Sequence, residues 1–207
     1  MRSAVRTLAL TATALLGLSL LPVESATSVL PAGSHCVAYK SRKTQAMVAQ
    51  SDIVGSNCGV TVKAVKAANG ELAAEIIIPI YGFNSKEKDR DKEVAKLLSS
   101  GSHPNLTVRT ETMTAAEWKA LLQKGGGAVK AQLVIGGKSF TITANPKITR
   151  SGNKVEVSGV ITSKFTAFGI KPPEVGPGGV IAKAPDYLEL HYNFVSGKVQ
   201  NLAVVPM

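Results

Sequence analysis

The residues best equipped for chemistry in this 207-residue chain are His35, His103 and His191, together with Cys36 and Cys58. General acid–base or nucleophilic catalysis needs a base within reach of a nucleophile and a third group to orient it. No Ser-His-Asp, Cys-His or metal-ligand spacing links these positions. His103 precedes Pro104, which suits a turn, and His191 falls on the polar face of an alternating segment, where it is expected to meet solvent. Gly125-Gly126-Gly127 and Gly176-Pro177-Gly178-Gly179 lack the lysine and Ser/Thr that let a glycine loop hold phosphate. The sequence therefore reads as a protein that does no chemistry, with no catalytic or metal residues and no cofactor.

In a chain whose amino terminus predicts export to an oxidising compartment, Cys36 and Cys58 read as a disulfide. A bridge closing a loop of this size stabilises a fold by roughly 3 kcal/mol. The alternative, a metal site that also recruits His35, falls short of the ligand spacing of a closed zinc site. The amino terminus agrees with export. Arg2 and Arg6 precede an apolar run from Leu8 to Leu21, which Pro22 closes, and Val23, Ser25 and Ala26 suit a processing site. That run is about 14 residues, short of the roughly 20 needed to cross a bilayer as a helix. Residues 1–26 are thus expected to be a cleavable secretory signal peptide, and residues 27–207 a single domain with a sizeable core, periplasmic or secreted.

Removing Arg2, Arg6 and Glu24 takes the formal charge only from +10 to +9. A balance this basic favours anionic partners. Export argues against nucleic acid and leaves phospholipid headgroups, pyrophosphates, an anionic membrane surface or an acidic protein, with simple solubility as the alternative because the lysines are spread along the chain. Two runs of cations, Lys40, Arg42 and Lys43, and Lys86, Lys88 and Arg90, read first as solvated charge, with Arg90 placed to pair with Asp89 or Asp91 and fix a turn; the alternative is a polar rim that meets a pyrophosphate or quinone head.

The elements that must position these residues are mostly strands. Residues 37–62 read as two irregular strands, and Gly59–Ala67 as a strand turning at Ala68-Asn69-Gly70 into another over Glu71–Tyr81. Pro79 lies there at an edge, a bulge or the strand end. A helix capped by Asn84 or Ser85 follows, with Val94, Leu97 and Leu98 on one face and Ser99-Ser100-Gly101 at its end. Thr114 and Glu117 have capping-box spacing for a second helix, in which Trp118, Leu121 and Leu122 share a face. Trp118 reads as the residue that docks this helix on the core, with stacking on a ligand as the alternative. Further strands appear around Leu106–Glu111, Leu133–Ile142 with its Gly136-Gly137 turn, Val155–Ile161 and Leu188–Phe194. Many short alternating strands and two short helices describe an antiparallel sandwich or barrel.

Two stretches resemble a known family. Ser85 to Asp91, a helix ending in Leu97-Leu98, and then His103-Pro104-Asn105-Leu106-Thr107-Val108 are similar to the YceI-like family, as are Val157-Ser158-Gly159-Val160, Phe165, Phe168-Gly169-Ile170, Pro172-Pro173 and Asp186 to Leu190. The likeness runs from about Ala46 to Phe194. It implies an all-β fold, a lipocalin-like antiparallel eight-stranded β-barrel with two short helices, holding a long-chain isoprenoid, isoprenoid quinone, fatty acyl compound or other amphiphilic lipid. The stretch from Ser34 to Gln50, the cysteines, the helix around Trp118 and the tail from Val195 depart from the family pattern. The apolar faces of the strands supply the expected pocket wall: Ile78, Ile80, Leu106, Val108, Leu133, Ile135, Phe140, Ile142, Val155, Val157, Leu188, Leu190, Tyr192 and Phe194. The alternative is a filled barrel whose basic surface docks an acidic partner or touches an anionic membrane transiently. The sequence leaves the oligomeric state open.

Overall fold

A computed structural model describes residues 27–45, 49–175 and 181–202. The expected signal segment and Gly176-Pro177-Gly178-Gly179 lie outside them, as does Ala46. Thirteen strands and two α-helices are described. The strands are β1 (Cys36–Gln45), β2 (Ala49–Asn57), β3 (Thr61–Lys66), β4 (Leu72–Pro79), β5 (Asn105–Thr110), β6 (Val129–Ile135) and β7 (Lys138–Ala144). They continue with β8 (Lys147–Ser151), β9 (Lys154–Ser163), β10 (Glu174–Val175), β11 (Ala182–Lys183), β12 (Leu188–Val195) and β13 (Val199–Gln200). The helices are α1 (Lys88–Leu97) and α2 (Ala115–Lys124).

The strands form two sheets. One is seven-stranded, in the order β10-β11-β1-β12-β9-β8 with β2 also paired to β1; the other is six-stranded, in the order β13-β3-β4-β5-β6-β7. Among the described residues no strand ladder joins the two sheets, so the expected closed eight-stranded barrel gives way to two facing sheets. Several strands are short additions at the edges. The tail that follows β12 supplies β13, which pairs with β3 in parallel and extends the six-stranded sheet.

Residues 37–62 are more regular than their sequence suggests. β1 and β2 pair continuously from Val37 opposite Asn57 to Gln45 opposite Ala49, and β3 begins only at Thr61. Ser41 and Lys43 interrupt the apolar inner face of β1, and these two polar residues blur the alternation. β4 ends at Pro79, which offers no N–H to continue the ladder, and the chain turns through a 3₁₀ segment, Ile80–Gly82. Between β6 and β7 the hairpin is set by Gly136 and Gly137, at φ 55° and 77°, the paired positive values that a two-residue turn between twisted strands requires.

The start of α1 differs from expectation. Its N-cap residue is Glu87, with no side-chain cap bond; Asn84 Oδ1 instead accepts from Lys86 N at 2.8 Å, and Asp91 Oδ1 accepts from Ser85 N at 2.9 Å. Asn84 and Ser85 lie too far upstream to reach the first turn, and they order the approach loop. Arg90 pairs with Glu87 at 3.6 Å, not with Asp89 or Asp91, because Glu87 lies one turn away on the same face. α2 carries the capping box its spacing predicts, with Thr114 Oγ1 accepting from Glu117 N and the Glu117 carboxylate accepting from Thr114 N.

Candidate functional site

Facing apolar strands normally close on one another at native packing density. Here they do not. Leu106, Leu133 and Leu188 are buried, whereas Val108, Ile142, Leu190, Tyr192 and Phe194 point between the sheets and yet keep part of their surface. That surface faces a cavity of about 910 Å³, at the upper end of the usual range for small-molecule sites.

The six-stranded sheet contributes Ile78, Leu106, Val108, Leu133, Ile135 and Ile142 to the wall. Val155, Val157, Leu188, Leu190, Tyr192 and Phe194 come from the seven-stranded sheet. Two residues expected there lie elsewhere. Ile80 falls in the 3₁₀ turn after Pro79 and is 1% exposed within the core, and Phe140 packs edge-on against Phe168, 5.7 Å between centroids. Alternation along each strand puts the other positions on the inner faces, and Pro79, read from the sequence as an edge, a bulge or the strand end, is where the chain changes direction and carries Ile80 out of the strand.

Two cross-strand pairs shape the floor. Tyr39 lies opposite Gly55 and Tyr192 opposite Gly159, and any Cβ on either glycine would overlap the tyrosine ring. Both rings therefore lie flat along the sheet and leave the lumen open. Burial pushes the Tyr192 phenol up to about 12, so it stays protonated.

The helices border opposite ends. α1 presents Val94, Leu97 and Leu98, beside Phe83, which packs on Tyr39; Ala95, not one of the expected face residues, is its buried position. α2 presents Trp118 and Leu122, and the indole Nε1–H donates to Leu72 O at 3.0 Å. Trp118 thus docks its helix and also forms part of the wall.

Of the candidate rim cations, Lys40 and Arg42 lie on the outer face of β1. Lys40 bridges Asp52 at 3.3 Å and Glu189 at 3.5 Å, while Arg42 reaches Asp52 at 3.9 Å and sits over the Tyr187 ring. Lys43 and Arg90 border the cavity, whereas Lys86 and Lys88 face a separate shallow surface pocket beside Tyr81.

The outer face of β12 holds a polar cluster that sequence reasoning assigned to solvent. Glu189, His191 and Asn193 are each 3% exposed or less: residues 29–33 cross over His191 and Asn193, while Tyr187 and Lys40 contact Glu189. Val29 N donates to His191 Nδ1, Asn193 Nδ2 to Pro31 O, and Gly33 N to Glu156 Oε1. His191 Nε2 lies 2.9 Å from Glu189 Oε2, and the Tyr187 hydroxyl also bonds this carboxylate. Burial opposes ionisation of Glu189, but Tyr187, Lys40 and His191 outweigh it and hold the carboxyl below its ordinary range. Burial lowers His191, outweighing the opposing pull of Glu189. This cluster holds the chain segment in place on the side of the sheet away from the lumen. His35 is buried beside Phe194, and His103 lies by the Gly137 turn, so the three histidines stand apart. Cys36 and Cys58 form a disulfide, not a metal site. Among the described residues no cluster of three His, Cys, Asp or Glu is placed to hold a metal ion.

A mostly β protein with two sheets around an apolar lumen is the class this geometry defines. The YceI-like domain pattern matches residues 28–194, and the chain belongs to that family. The match begins at residue 28, so it includes β1 and the residues ahead of it, beyond the span the sequence likeness covered. Among solved structures, BcnA from Burkholderia cenocepacia is similar with a TM-score of 0.57 and 16% identity, over 78% of this chain and 96% of that one. A polyisoprenoid binding domain from Saccharophagus degradans, implicated in plant cell wall breakdown, is similar with a TM-score of 0.56 and 12% identity, over 77% and 92% of the two chains. The YceI protein of Campylobacter jejuni gives a TM-score of 0.51 at 14% identity, over 70% and 85%. No curated protein sequence matches this chain.

Proposed function

We propose that this protein binds a long apolar or amphiphilic lipid, of the isoprenoid, isoprenoid quinone or fatty acyl class, in the lumen between its sheets and carries it without transforming it. The observation that carries this reading is the unfilled space itself: inward-facing Val108, Ile142, Leu190 and Phe194 retain surface in the middle of a two-sheet fold. Each methylene withdrawn from water into such a space gains about 0.8 kcal/mol, so a long chain needs no catalytic machinery to be held. Family membership supports the reading, and one structural relative is described as a polyisoprenoid binding domain. The disulfide agrees with export to the periplasm, for which residues 1–26 would serve as the cleaved signal. A filled fold that only docks an acidic partner would not leave this space open.

The test is solvent extraction of the protein, purified without detergent from its native compartment, followed by mass spectrometry. A stoichiometric isoprenoid or acyl species is expected. Trp118 is the single tryptophan and lines the lumen, so titrating a polyprenol into emptied protein should change its emission saturably. An empty, stable protein that takes up no polyprenol would overturn the reading.

A further inference from the structure

β1 separates its cations by face. Its pairing with β2 runs without a bulge, so alternate residues keep to one side throughout. Val37, Tyr39, Ser41 and Lys43 line the lumen, while Lys40 and Arg42 point outward to Asp52 and Glu189. Lys43 is half-buried and makes no salt bridge among the described residues. The carboxylates bordering this end of the cavity are already matched: Glu87 to Arg90 at 3.6 Å, Asp89 to Lys92 at 3.0 Å, Glu93 to Lys96 at 2.7 Å and Glu174 to Lys171 at 3.7 Å. A lysine on the lumen face of a strand can bury its stem along the apolar wall and offer its ammonium to an anionic group held there, and the low-dielectric wall strengthens that attraction.

We infer that Lys43 binds the anionic head of the lipid, so that the lumen selects carboxylate- or phosphate-headed amphiphiles over neutral ones of the same chain. This rests on the lumen being a lipid site. The chain would lie along Leu190 and Val108, and the head beside Ser41 and Lys43.

The experiment compares hexadecanol, hexadecanoate and hexadecyl phosphate, each displacing an apolar dye from the emptied full-length protein. The anions should bind about tenfold tighter than the alcohol, the scale of one hydrogen bond to a charged group. In Lys43→Met, which keeps the apolar stem, the anion-to-alcohol ratio should fall to about one; Lys43→Arg should retain it, and added salt should shrink it. Whichever anion binds tighter shows whether an acyl or a phosphorylated chain is the preferred source of the head. A wild-type ratio near one, or a preference that survives Lys43→Met, overturns the role of Lys43 while leaving the lipid site intact. Failure of all three probes on folded protein overturns the lipid site itself.

Discussion

Acid should loosen this fold through two buried histidines. His191 is 1% exposed; its Nδ1 accepts from Val29 N at 3.4 Å, so its proton must sit on Nε2, facing Glu189. His35 is 5% exposed, and its Nδ1 accepts from Val195 N at 3.2 Å. A second proton on either ring would set N–H against backbone N–H. Burial therefore holds both below the ordinary 6.5, helped at His35 by Lys198. The unfolded chain takes up these two protons as pH falls through 6.5 while the folded chain does not, so stability is full above that pH and declines below it. Each histidine costs up to about 1.4 kcal/mol per pH unit below 6.5 for as long as its folded ring stays neutral, so the unfolding free energy should fall as the pH drops from about 7.5 to about 5.5. Glu189, held below 4.5, adds a further loss only when the pH falls beneath that value. Urea unfolding followed by circular dichroism at these pH values measures the slope. The double variant His35→Gln, His191→Gln, which keeps an acceptor and a donor but cannot titrate, should flatten it. A midpoint that does not move with pH, or a slope that survives in the double variant, would refute the argument.

Gly159→Val should push the Tyr192 ring into the lumen, costing about 1–3 kcal/mol of stability through overpacking, and a lipophilic dye should lose its site. Replacing Cys36 and Cys58 by serine, which removes a bridge across a sequence separation of 22, should lower unfolding free energy by about 3 kcal/mol in denaturant titration. Thr114→Ala removes the capping box of α2 and should cost about 1 kcal/mol, with faster amide exchange confined to that helix.

Alternation in the sequence identified which residues of β5, β6, β9 and β12 share a face, because the side-chain period of a strand is fixed by its pleat. It was silent on how far apart two apolar faces stand. That separation depends on what lies flat and what stands upright between them, and the tyrosines show why it stays hidden. Tyr39 is sixteen residues from Gly55 and Tyr192 is thirty-three from Gly159. Only the strand register brings each ring onto a glycine that tolerates it. The β1–β2 hairpin was obscured for a different reason: Ser41 and Lys43 put polar side chains on the inner face of β1, so hydrophobicity alone gives a weak pattern there.

His191 carries the same lesson on the other side of the sheet. Its position opposite Leu190 and Tyr192 in the alternation correctly marks a polar face, and a polar face of an antiparallel sheet is ordinarily solvated. Here residues 29–33 cover it, using backbone groups of Val29, Pro31 and Gly33 that carry no side-chain signature of pairing. A covered polar face must satisfy its hydrogen bonds internally, and that requirement fixes the neutral tautomer of His191 and the ionised state of Glu189. The sheet is thus held on its outer side by polar bonds and left open on its inner side. Ligand binding at the lumen and acid lability at the outer face should therefore be separable: Gly159→Val should abolish dye binding yet keep the pH slope, and the double histidine variant should do the reverse.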